Sequence, residues 1–381
     1  MKHVLLISRA LIPSVTLCGH DQLTLLAAQG KLEYRQRSPL RIKDSDILWA
    51  DVLVFVRSDD DVCLFIARTA RKLGKVCMYV LDDDLLNIPE GLDSSAHYGR
   101  EETRALLRQN MAACSVFLSP SRNLIRKYGD EFERCVRIEE PATVCPRREA
   151  PSGPVKIGFA GSIDRAGDID VLLSGAVRRV LAKYGERVSI TFFGAKPAVA
   201  EELSLPWIPY QDSYEKYVET MCALGWDIGL APMPDTPFHR CKHYNKFTEY
   251  ASYGIAGIYS RVEPYTFAVR DGENGLLCPN TEDGWFDSIC RLVEDDGLRR
   301  RISRECLREA GEQYSPEATA RIWEELIDTF PVGERAAGTP LRFWWGLFCA
   351  RVRWVFRKLR AWGWKAPRKL VQKIWKRLVR T

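Results

Sequence analysis

The stretch WDIGLAPMPDTPFHRCKHYNKFTEYASYGIAGIYS, residues 226–260, decides the fold of this chain. It begins and ends with short apolar runs that are typical of buried strands, and a Pro-rich loop and a helical segment lie between them. We expect the helix to end at Tyr253, because Gly254 accepts the left-handed backbone conformation that follows many helices. This strand, loop, helix and strand order predicts an α/β domain with a parallel sheet.

Four polar side chains of this stretch are spaced to share one face of the helix and its lead-in turn. Lys242, Lys246, Glu249 and Tyr253 follow one another at i, i+4, i+7 and i+11. A helix N-terminus and two lysines attract phosphate, and a carboxylate one turn later can accept hydrogen bonds from ribose hydroxyls. The spacing is therefore compatible with a nucleoside diphosphate site. An ordinary solvent-facing helix with a Lys–Glu pair explains the same residue types, which taken alone favour it.

The stretch resembles the donor-site segment of GT-B glycosyltransferases, in a bacterial branch close to family 4. In that branch D-x-G-L-A-P, D-T-P-F and K-x-x-x-K-x-x-E-Y-x-x-x-G occur in order, and here they occupy residues 227–232, 235–238 and 242–254. The resemblance implies that Glu249 binds the donor ribose and that residues near Lys242 and Lys246 face the diphosphate. The chain departs from the family's E-x7-E pair, whose first glutamate would fall at Cys241.

Composition bounds the class of protein. The chain has 381 residues and 46% hydrophobic residues, which is enough for two domain cores. Its 12 cysteines contain no C-x-x-C, so we expect reduced thiols in a cytoplasmic protein. The N-terminal apolar run is too short for a signal peptide, and no run approaches the ~20 apolar residues of a spanning helix.

The net charge of +6 is unevenly distributed along the chain. Residues 333–381 carry 14 Lys and Arg against Glu334 alone, a net charge of +13 that leaves −7 on residues 1–332. An acidic body with a basic tail indicates that the tail binds an anionic partner.

Strand and helix patterns alternate along the body of the chain. The fold class that we expect is α/β, with two Rossmann-like domains facing a cleft, as the GT-B resemblance implies, and a basic amphipathic helical tail. Residues 1–145 would form the acceptor domain, and 155–330 the nucleotide-sugar domain. The Pro-rich and charged residues 146–154 would link them, and 331–381 would form the tail.

Three consecutive carboxylates, Asp82, Asp83 and Asp84, follow a predicted strand in VLDDDLLNIP. Asp82 and Asp84 form a D-x-D, the pattern with which GT-A glycosyltransferases hold a divalent metal. Alternatively one carboxylate is the general base for an acceptor hydroxyl, or Asp84 caps a turn. The GT-B branch has a D-D-D-L-x-N-I-P segment at this place, which implies no metal. We therefore expect no metal and no obligatory cofactor, and the other two alternatives remain open.

The loop after the first strand supplies further candidates for the base. His20 and Asp21 lie where inverting GT-B enzymes often place it, although Asp21 as a polar helix start explains the same letters. His97 is a third candidate, since it follows the acidic loop. Residues 59–61 are more typical of an acidic helix N-terminus.

A glycine-rich turn opens the predicted second domain in VKIGFAGS. Gly161 and Ser162 let the backbone approach a phosphate, and Arg165 is available to bind it. Family 4 members usually have an arginine and a Lys-Gly after this turn, but the matching region here is SIDRAGDID. The lysine is therefore missing.

The tail from residue 341 has the pattern of a membrane-surface helix. A helical wheel places arginines 342, 353, 357 and 360 opposite one apolar stripe, and a second basic helix is predicted after Pro367. Tryptophan-rich stripes and a basic face favour an anionic membrane, ahead of packing against the N-terminal domain and of a nucleic-acid arm. Membrane binding and packing are compatible, and we expect no nucleic acid. The stripe consists of Trp344, Phe348, Val352, Val355, Leu359 and Trp362.

These patterns together predict a glycosyltransferase that lies peripherally on the inner face of the plasma membrane. It would move a sugar, of the hexosyl or deoxyhexosyl class, from a nucleotide-diphosphate donor to a glycan acceptor. The tail favours a lipid-linked acceptor, in cell-surface polysaccharide or glycolipid synthesis. Three alternatives remain: a membrane-bound nucleotide-sugar binding protein without turnover, a metal-dependent GT-A transferase using Asp82 and Asp84, and a nucleotide-sugar epimerase.

Overall fold

A computed structural model describes residues 1–92, 94–145, 153–211, 213–331 and 342–362. It contains two six-stranded sheets, and every strand pair in both is parallel. The predicted linker, apart from residues 153 and 154, and the second tail helix predicted after Pro367 lie outside the described residues.

The first sheet forms the N-terminal domain, with strand order β2-β1-β3-β4-β5-β6. The two strands at its centre, VLVFV at residues 52–56 and VCMYV at residues 76–80, are apolar throughout, as expected of a sheet that is covered on both faces. The strands are β1 Lys2–Ile7, β2 Leu32–Arg37, β3 Val52–Val56, β4 Val76–Val80, β5 Val116–Ser119 and β6 Arg134–Arg137.

The second sheet forms the C-terminal domain, with strand order β12-β11-β10-β7-β8-β9. The opening stretch supplies β10 and β11, which pair in parallel next to β7. The strands are β7 Val155–Gly161, β8 Val188–Gly194, β9 Trp207–Pro209, β10 Ile228–Ala231, β11 Ala256–Ser260 and β12 Leu276–Cys278.

Sixteen α-helices occur in the described residues and cover both sheets. Those up to β6 are α1 Pro13–Val15, α2 Asp21–Ala28, α3 Asp44–Trp49, α4 Asp61–Lys72, α5 Ser95–Tyr98, α6 Glu101–Ala112 and α7 Arg122–Tyr128. A π-helical turn, Thr16–His20, joins α1 to α2. The others are α8 Ala166–Tyr184, α9 Ala198–Glu202, α10 Tyr214–Leu224, α11 Pro237–Arg240, α12 Asn245–Ser252, α13 Glu282–Glu294, α14 Asp296–Gln313, α15 Pro316–Asp328 and α16 Arg342–Trp362.

The last two described helices pack on the N-terminal domain, although they follow the second sheet in the chain. Trp323 of α15 is buried in the core formed by one face of the first sheet, where its ring lies 3.3 Å from the position of a Cβ at Gly19. Leu347 of α16 is buried in the core on the other face. Residues 155–330, predicted as a single domain, therefore end in a helix that completes the N-terminal core.

Helix α16 contacts α4 through one apolar face. Phe343, Leu347 and Ala350 are buried there, and Gly346 lets the ring of Phe65 approach, since a Cβ at residue 346 would lie 2.4 Å from that ring. The predicted alternative of a helix packed on the N-terminal domain is therefore correct. None of the helices in the described part of the chain is long and apolar enough to span a bilayer.

The opposite face of α16 is exposed and carries Trp344, Phe348, Val355 and Leu359 of the predicted stripe, whereas Val352 is half-buried and the Trp362 side chain lies outside the described part of the chain. Trp344 is 60% exposed and Phe348 is 55% exposed, whereas the packed face uses residues that the stripe did not include. Trp345, Val355, Phe356 and Leu359 are exposed on the same side. The helix thus has two apolar faces, of which the domain covers one.

One prediction about the cysteines is wrong. Cys145 and Cys222 form a disulfide with their Cα atoms 6.6 Å apart, so the thiols are not all reduced. The other ten cysteines are free, and eight of those are buried.

Candidate functional site

The two domains meet where the loops after their strands face one another. Lys242, in the turn between α11 and α12, donates to Asp83 after β4, with Nζ 3.1 Å from Oδ1. Asn123 on α7 donates to the carbonyl oxygen of Arg240 and to Glu263, each at 2.7 Å. Lys242 therefore points toward the N-terminal domain, not into solvent behind the second sheet.

Lys246 and Glu249 form a cluster with Tyr217 of α10. The lysine is ion-paired with the carboxylate, the Tyr217 hydroxyl donates to the same carboxylate, and Lys246 Nζ lies 3.2 Å from that hydroxyl. Burial and then the Glu249 charge raise the pKa of Tyr217 well above its ordinary value. The three groups are partly exposed, and the predicted spacing of Lys246 and Glu249 does bring them together.

A further tyrosine of α10 lies close to this cluster. Tyr214, at the start of α10, is 53% exposed. Surrounding protein and then the carboxylates of Glu249, Glu140 and Asp21 raise its pKa. Because Asp21 belongs to the first domain and Glu249 to the second, carboxylates of both domains act on the Tyr214 hydroxyl.

At the turn after β7, the backbone at the end of β7 lies close to the backbone at the end of β8. A Cβ at Gly194 would lie 2.0 Å from the carbonyl oxygen of Gly161, and Gly194 has a φ of +84° that favours glycine. Ser162 is exposed and bonds to Asp164. The turn therefore offers a small, exposed Ser-containing loop at the carboxyl end of the sheet.

Arg165 lies beside this turn and is held in place by two contacts. Its Nη2 donates to the carbonyl oxygen of Pro232 at 2.6 Å, and its Nε lies 3.0 Å from Asp168. His239 is a neighbour, with its Nε2 4.0 Å from the same Asp168, and burial and then the Arg165 charge lower the pKa of His239 to about 4. The imidazole is therefore neutral at pH 7. Arg165 and Lys242 thus form a cationic edge beside a neutral His239, and sequence reasoning identified the two cations without His239.

The three consecutive aspartates do not act as one group. The Arg57 guanidinium donates to both Asp82 and Asp83, and Asp83 also accepts from Lys242. Burial opposes ionisation of Asp83, but Lys242 and then Arg57 hold its pKa below the ordinary value. Asp82 and Asp83 are thus placed at the cleft as ion-paired carboxylates.

Asp84 points into the N-terminal domain. It is 1% exposed and accepts from Lys127 at 2.6 Å, from the Tyr128 hydroxyl at 2.6 Å and from Asn87 at 3.0 Å. These contacts favour the structural alternative for Asp84. They also separate it from Asp82, so the D-x-D does not converge as a metal pair would. No group of three or more potential His, Cys, Asp or Glu ligands gathers within the described residues.

Arg57 was not found from the sequence. It has a φ of +48°, an uncommon conformation for a residue with a side chain, and such residues concentrate at functional sites. This conformation at the end of β3 directs the guanidinium toward Asp82 and Asp83. No sequence signal distinguishes Arg57 from any other arginine after a strand.

His20 and Asp21 lie at the junction of the π-helical turn and α2. His20 Nδ1 is 2.7 Å from the Tyr34 hydroxyl, and Asp21 is exposed in the first turn of α2. The Tyr34 contact orients the imidazole. Neither residue contacts the aspartates after β4, so their catalytic role stays a prediction.

His97 forms a pair with Asp59 that sequence reasoning did not connect. Its Nε2 bonds to Asp59 Oδ2, while Arg9 Nη2 is 3.2 Å from the other oxygen. Burial opposes ionisation of Asp59, but His97 and Arg9 hold its pKa below the ordinary value. Only Asp60 of the acidic run caps α4, accepting from the backbone of Val62. Residues 59–61 are therefore not merely a helix N-terminus.

A buried histidine lies where the two domains meet. His243 Nε2 lies 3.3 Å from Glu139 and its Nδ1 lies 2.8 Å from Asn245 Oδ1. Burial opposes its protonation, but the Glu139 hydrogen bond and the Glu140 charge outweigh burial and raise the pKa of His243. This ion pair joins the segment after β6 to the lead-in turn of α12.

Comparisons with solved structures bear on the fold. HepE of Anabaena in complex with UDP-glucose has a TM-score of 0.60 at 13% identity, over 87% of this chain and 100% of HepE. The lipopolysaccharide outer core galactosyltransferase WaaB has a TM-score of 0.55 at 13% identity, over 86% of this chain and 99% of WaaB.

Sucrose-phosphate synthase of Thermosynechococcus elongatus has a TM-score of 0.59 at 13% identity, over 86% of this chain and 99% of the synthase. No family model matches the chain, and no curated protein matches it in sequence. The structural neighbours are GT-B glycosyltransferases. The chain accordingly has the GT-B fold of two Rossmann-like domains, and the GT-A alternative does not describe its architecture.

Proposed function

We propose that this protein is a glycosyltransferase that takes a sugar from a nucleoside diphosphate donor. The observation that carries this proposal is the arrangement of Lys242, Lys246 and Glu249 on the cleft side of a GT-B fold. Structural neighbours crystallised with UDP or UDP-glucose support a uridine nucleotide as the first donor to test. The resemblance of the sequence motifs supports, as part of this proposal, a position near family 4 within the GT-B enzymes.

In this proposal the donor diphosphate binds at the cationic edge of the second domain. Lys242 exchanges Asp83 for a phosphate oxygen, and Lys246 turns from Glu249 toward the same group. Glu249, one helical turn beyond Lys246, then accepts from the ribose hydroxyls. Each exchange replaces one charge-assisted hydrogen bond by another, so little desolvation is added.

Leaving-group stabilisation is electrostatic in this scheme. Negative charge grows on the diphosphate as the glycosidic bond breaks, and fixed positive groups that face it lower the barrier. Lys242, Arg165 and the exposed turn at Ser162 supply these groups. The donor is a substrate, and the residues need no metal to hold it.

Activation of the acceptor hydroxyl involves the N-terminal domain. Both Asp82 oxygens accept from Arg57, and Lys242 and then Arg57 hold the pKa of Asp83 below its ordinary value, which weakens Asp83 as a base. His97 has its Nε2 fixed by Asp59, and the other ring nitrogen remains for an acceptor hydroxyl. For an inverting reaction we therefore place His97 ahead of Asp82, Asp83, His20 and Asp21 as the base.

Helix α16 supports attachment to the cytoplasmic face of a membrane. Its exposed apolar face is flanked by Arg353 and Arg360, both exposed, and the range 342–362 contains no acidic residue. Apolar side chains between cations suit the boundary between headgroups and acyl chains. Attachment through α16 would hold the cleft close to the bilayer, which favours a lipid-linked glycan acceptor in polysaccharide or glycolipid synthesis.

Release of nucleoside diphosphate tests the proposed function. Purified protein is incubated with UDP-sugars and a bacterial membrane extract, and UDP is measured for wild type, Glu249→Gln and the control Glu219→Gln. Glu219 is exposed on α10 and has no recorded partner among the described residues. We expect Glu249→Gln to lower kcat/KM about 10- to 100-fold, as expected for removing a charged hydrogen-bond acceptor, and Glu219→Gln to match wild type.

The rival functions give different results in the same assay. A binding protein without turnover would show a UDP-sugar thermal shift that Glu249→Gln abolishes, but no UDP release. An epimerase would convert the donor without membrane extract. Absence of both a thermal shift and UDP release, over a panel of nucleotide-sugars, would contradict the proposal.

A further inference from the structure

A cationic cavity of about 520 Å³ lies at the carboxyl ends of β1 and β2, apart from the proposed donor residues. Its lining is Arg9, Gln36, Arg37, Ser38 and Arg41. None of these lining residues is acidic. Planar guanidinium groups match phosphate oxygens in pairs, so three arginines around one cavity have the chemistry of a site for a phosphoryl group.

The surrounding fold positions two of these arginines. Arg9 Nη2 lies 2.6 Å from Asp60 and 3.2 Å from Asp59, and both contacts use that single nitrogen. Arg37 Nε donates to Asp46 at 3.3 Å and its Nη1 donates to a backbone carbonyl. Each guanidinium keeps further N–H groups for a ligand. The sites of these groups are thus set before any ligand binds.

Gln36 and Arg41 complete the lining in different ways. Gln36 Nε2 donates to the backbone oxygen of Ser8 at 3.1 Å, which fixes the amide between the two strands. The exposed Arg41 side chain has no ion pair or hydrogen bond within the described residues. No neighbour within the described residues neutralises the Arg41 charge, which is therefore available to an anion.

The cavity adjoins the inner face of α16. The Arg9 guanidinium lies 5.8 Å from the ring centroid of Trp354, and Arg351 donates to the carbonyl oxygen of Ile42 at 3.0 Å, one residue after Arg41. The exposed apolar face is on the other side of this helix, and a helix with side chains is about 10–12 Å across. If that face lies on a bilayer, the cavity is near the headgroups.

The cavity also lies along the strand edge that leads to the cleft. In the sheet order β2-β1-β3-β4, two strand spacings separate β1 from β4, which is about 10 Å. Asp82 and Asp83 follow β4, and Asp59, which binds both Arg9 and His97, follows β3 between them. A sugar attached to a phosphate in the cavity can therefore reach toward the acceptor side of the cleft.

We propose that the cavity formed by Arg9, Arg37 and Arg41 binds the phosphate or pyrophosphate that joins the acceptor sugar to its lipid. This inference rests on the proposed function and specifies its acceptor class: a glycan on a lipid phosphate or pyrophosphate. The same chemistry occurs in the headgroup of an ordinary anionic phospholipid. A lipid-linked acceptor would bind through its own phosphate or pyrophosphate, whereas an ordinary phospholipid would bind through any anionic headgroup.

Vesicle binding with a matched pair of variants tests the proposal. The full-length protein is titrated with phosphatidylcholine vesicles that carry either a polyprenyl pyrophosphate or phosphatidylglycerol, at equal total negative charge. Arg41→Gln removes the arginine without a recorded partner, so it should leave the fold intact. Arg108→Gln removes an equal charge from an exposed arginine on α6 that has no recorded partner in the described chain.

We expect tighter wild-type binding to polyprenyl pyrophosphate vesicles, and Arg41→Gln should weaken that binding about tenfold. Arg108→Gln should leave it unchanged, and phosphatidylglycerol vesicles should bind wild type and Arg41→Gln alike. Equal weakening by the two variants, or an equal loss for both vesicle types, would overturn the proposal in favour of general electrostatic attraction or a phospholipid headgroup.

A thermal-shift titration with UDP-sugar separates this proposal from the proposed function. Arg41→Gln should keep the wild-type shift, because the cavity is apart from Lys242 and Glu249. A shift lost in Arg41→Gln would place the donor in the cavity and overturn the inference. Selective pyrophosphate binding without any UDP-sugar shift would leave the inference standing while the proposed function fails.

Discussion

Lys242 of the C-terminal domain and Asp83 of the N-terminal domain form an ion pair across the cleft, with 3.1 Å between Nζ and Oδ1. Arg57 shares the same carboxylate, so Asp83 lies between a cation of its own domain and one of the other. A diphosphate that binds Lys242 must compete with Asp83. Binding of the donor and the contact between the domains are therefore coupled.

Asp83→Asn should strengthen donor binding, because Lys242 then has no carboxylate to leave. Partly exposed ion pairs contribute up to about 1 kcal/mol, so we expect up to about a fivefold lower Kd for UDP-glucose by calorimetry. Asp130→Asn, at an exposed position remote from the cleft, is the control. Weaker binding by Asp83→Asn would show that Lys242 does not hold the diphosphate in the proposed way.

Donor binding should depend on pH through His239. Its pKa of about 4 is depressed by burial and by Arg165, and a bound diphosphate adds negative charge that raises it. A group whose pKa rises on binding takes up protons, so affinity should increase as pH falls from 7 toward 5. Each unit by which binding raises the His239 pKa corresponds to at most a tenfold increase in affinity.

The measurement is Kd for a UDP-sugar, whose diphosphate does not titrate in this range, against pH. His239→Gln should remove the dependence. A profile that is the same in wild type and His239→Gln would place the diphosphate away from this histidine.

Stability should depend on pH through His243. Its pKa is raised above 6.5 in the folded chain, so its contribution to the free energy of unfolding is fully present below pH 6.5. That contribution is lost as pH rises through the folded-state pKa. The stability-versus-pH curves of wild type and His243→Gln, measured by denaturant unfolding, should therefore be parallel below pH 6.5 and above the folded-state pKa, and should differ in slope between these two values. Parallel curves from pH 5 to 9 would contradict a protonated His243.

Neighbouring residues on α16 should have opposite roles. Leu347 is 1% exposed, and Leu347→Ala should lower the free energy of unfolding by about 2–5 kcal/mol with no change in the outer face. Phe348 is 55% exposed, and Phe348→Ala should preserve stability but weaken binding to phosphatidylglycerol vesicles about tenfold.

The two variants control for one another in thermal melts and vesicle flotation. If neither variant loses vesicle binding, membrane attachment through α16 is contradicted. Deletion of residues 341–381 is a poorer test than these substitutions, because Phe343, Leu347 and Ala350 belong to the N-terminal core.

Local patterns made most of the fold predictable. The helix Tyr214–Leu224 and the strand Val188–Gly194 are of this kind, because capping residues and apolar periodicity act within a few residues. Ser315 caps α15, and the S-P-E sequence at residues 315–317 is itself a local signal of a helix start. The spacing of Lys246 and Glu249 was likewise sufficient to bring them together.

Long-range contacts were not predictable. Which loops meet decides the contacts of Tyr217, of Arg57 and of the Asp59–His97 pair. No local sequence pattern indicates which loops meet. The packing of the tail was likewise not predictable from a local pattern. Its most regular apolar stripe faces solvent, while Phe343 and Leu347 pack, because periodicity identifies an apolar face without indicating what covers it.

The return of α15 and α16 to the first sheet has a consequence for biosynthesis. Trp323 and Leu347 belong to cores whose strands leave the ribosome some 200 residues earlier. The half of the polypeptide that is translated first is thus the last to be completed. A nascent chain has to keep these apolar sheet faces from aggregating until α15 and α16 have been translated, which predicts a strong dependence on chaperones and poor recovery of fragments ending before residue 350.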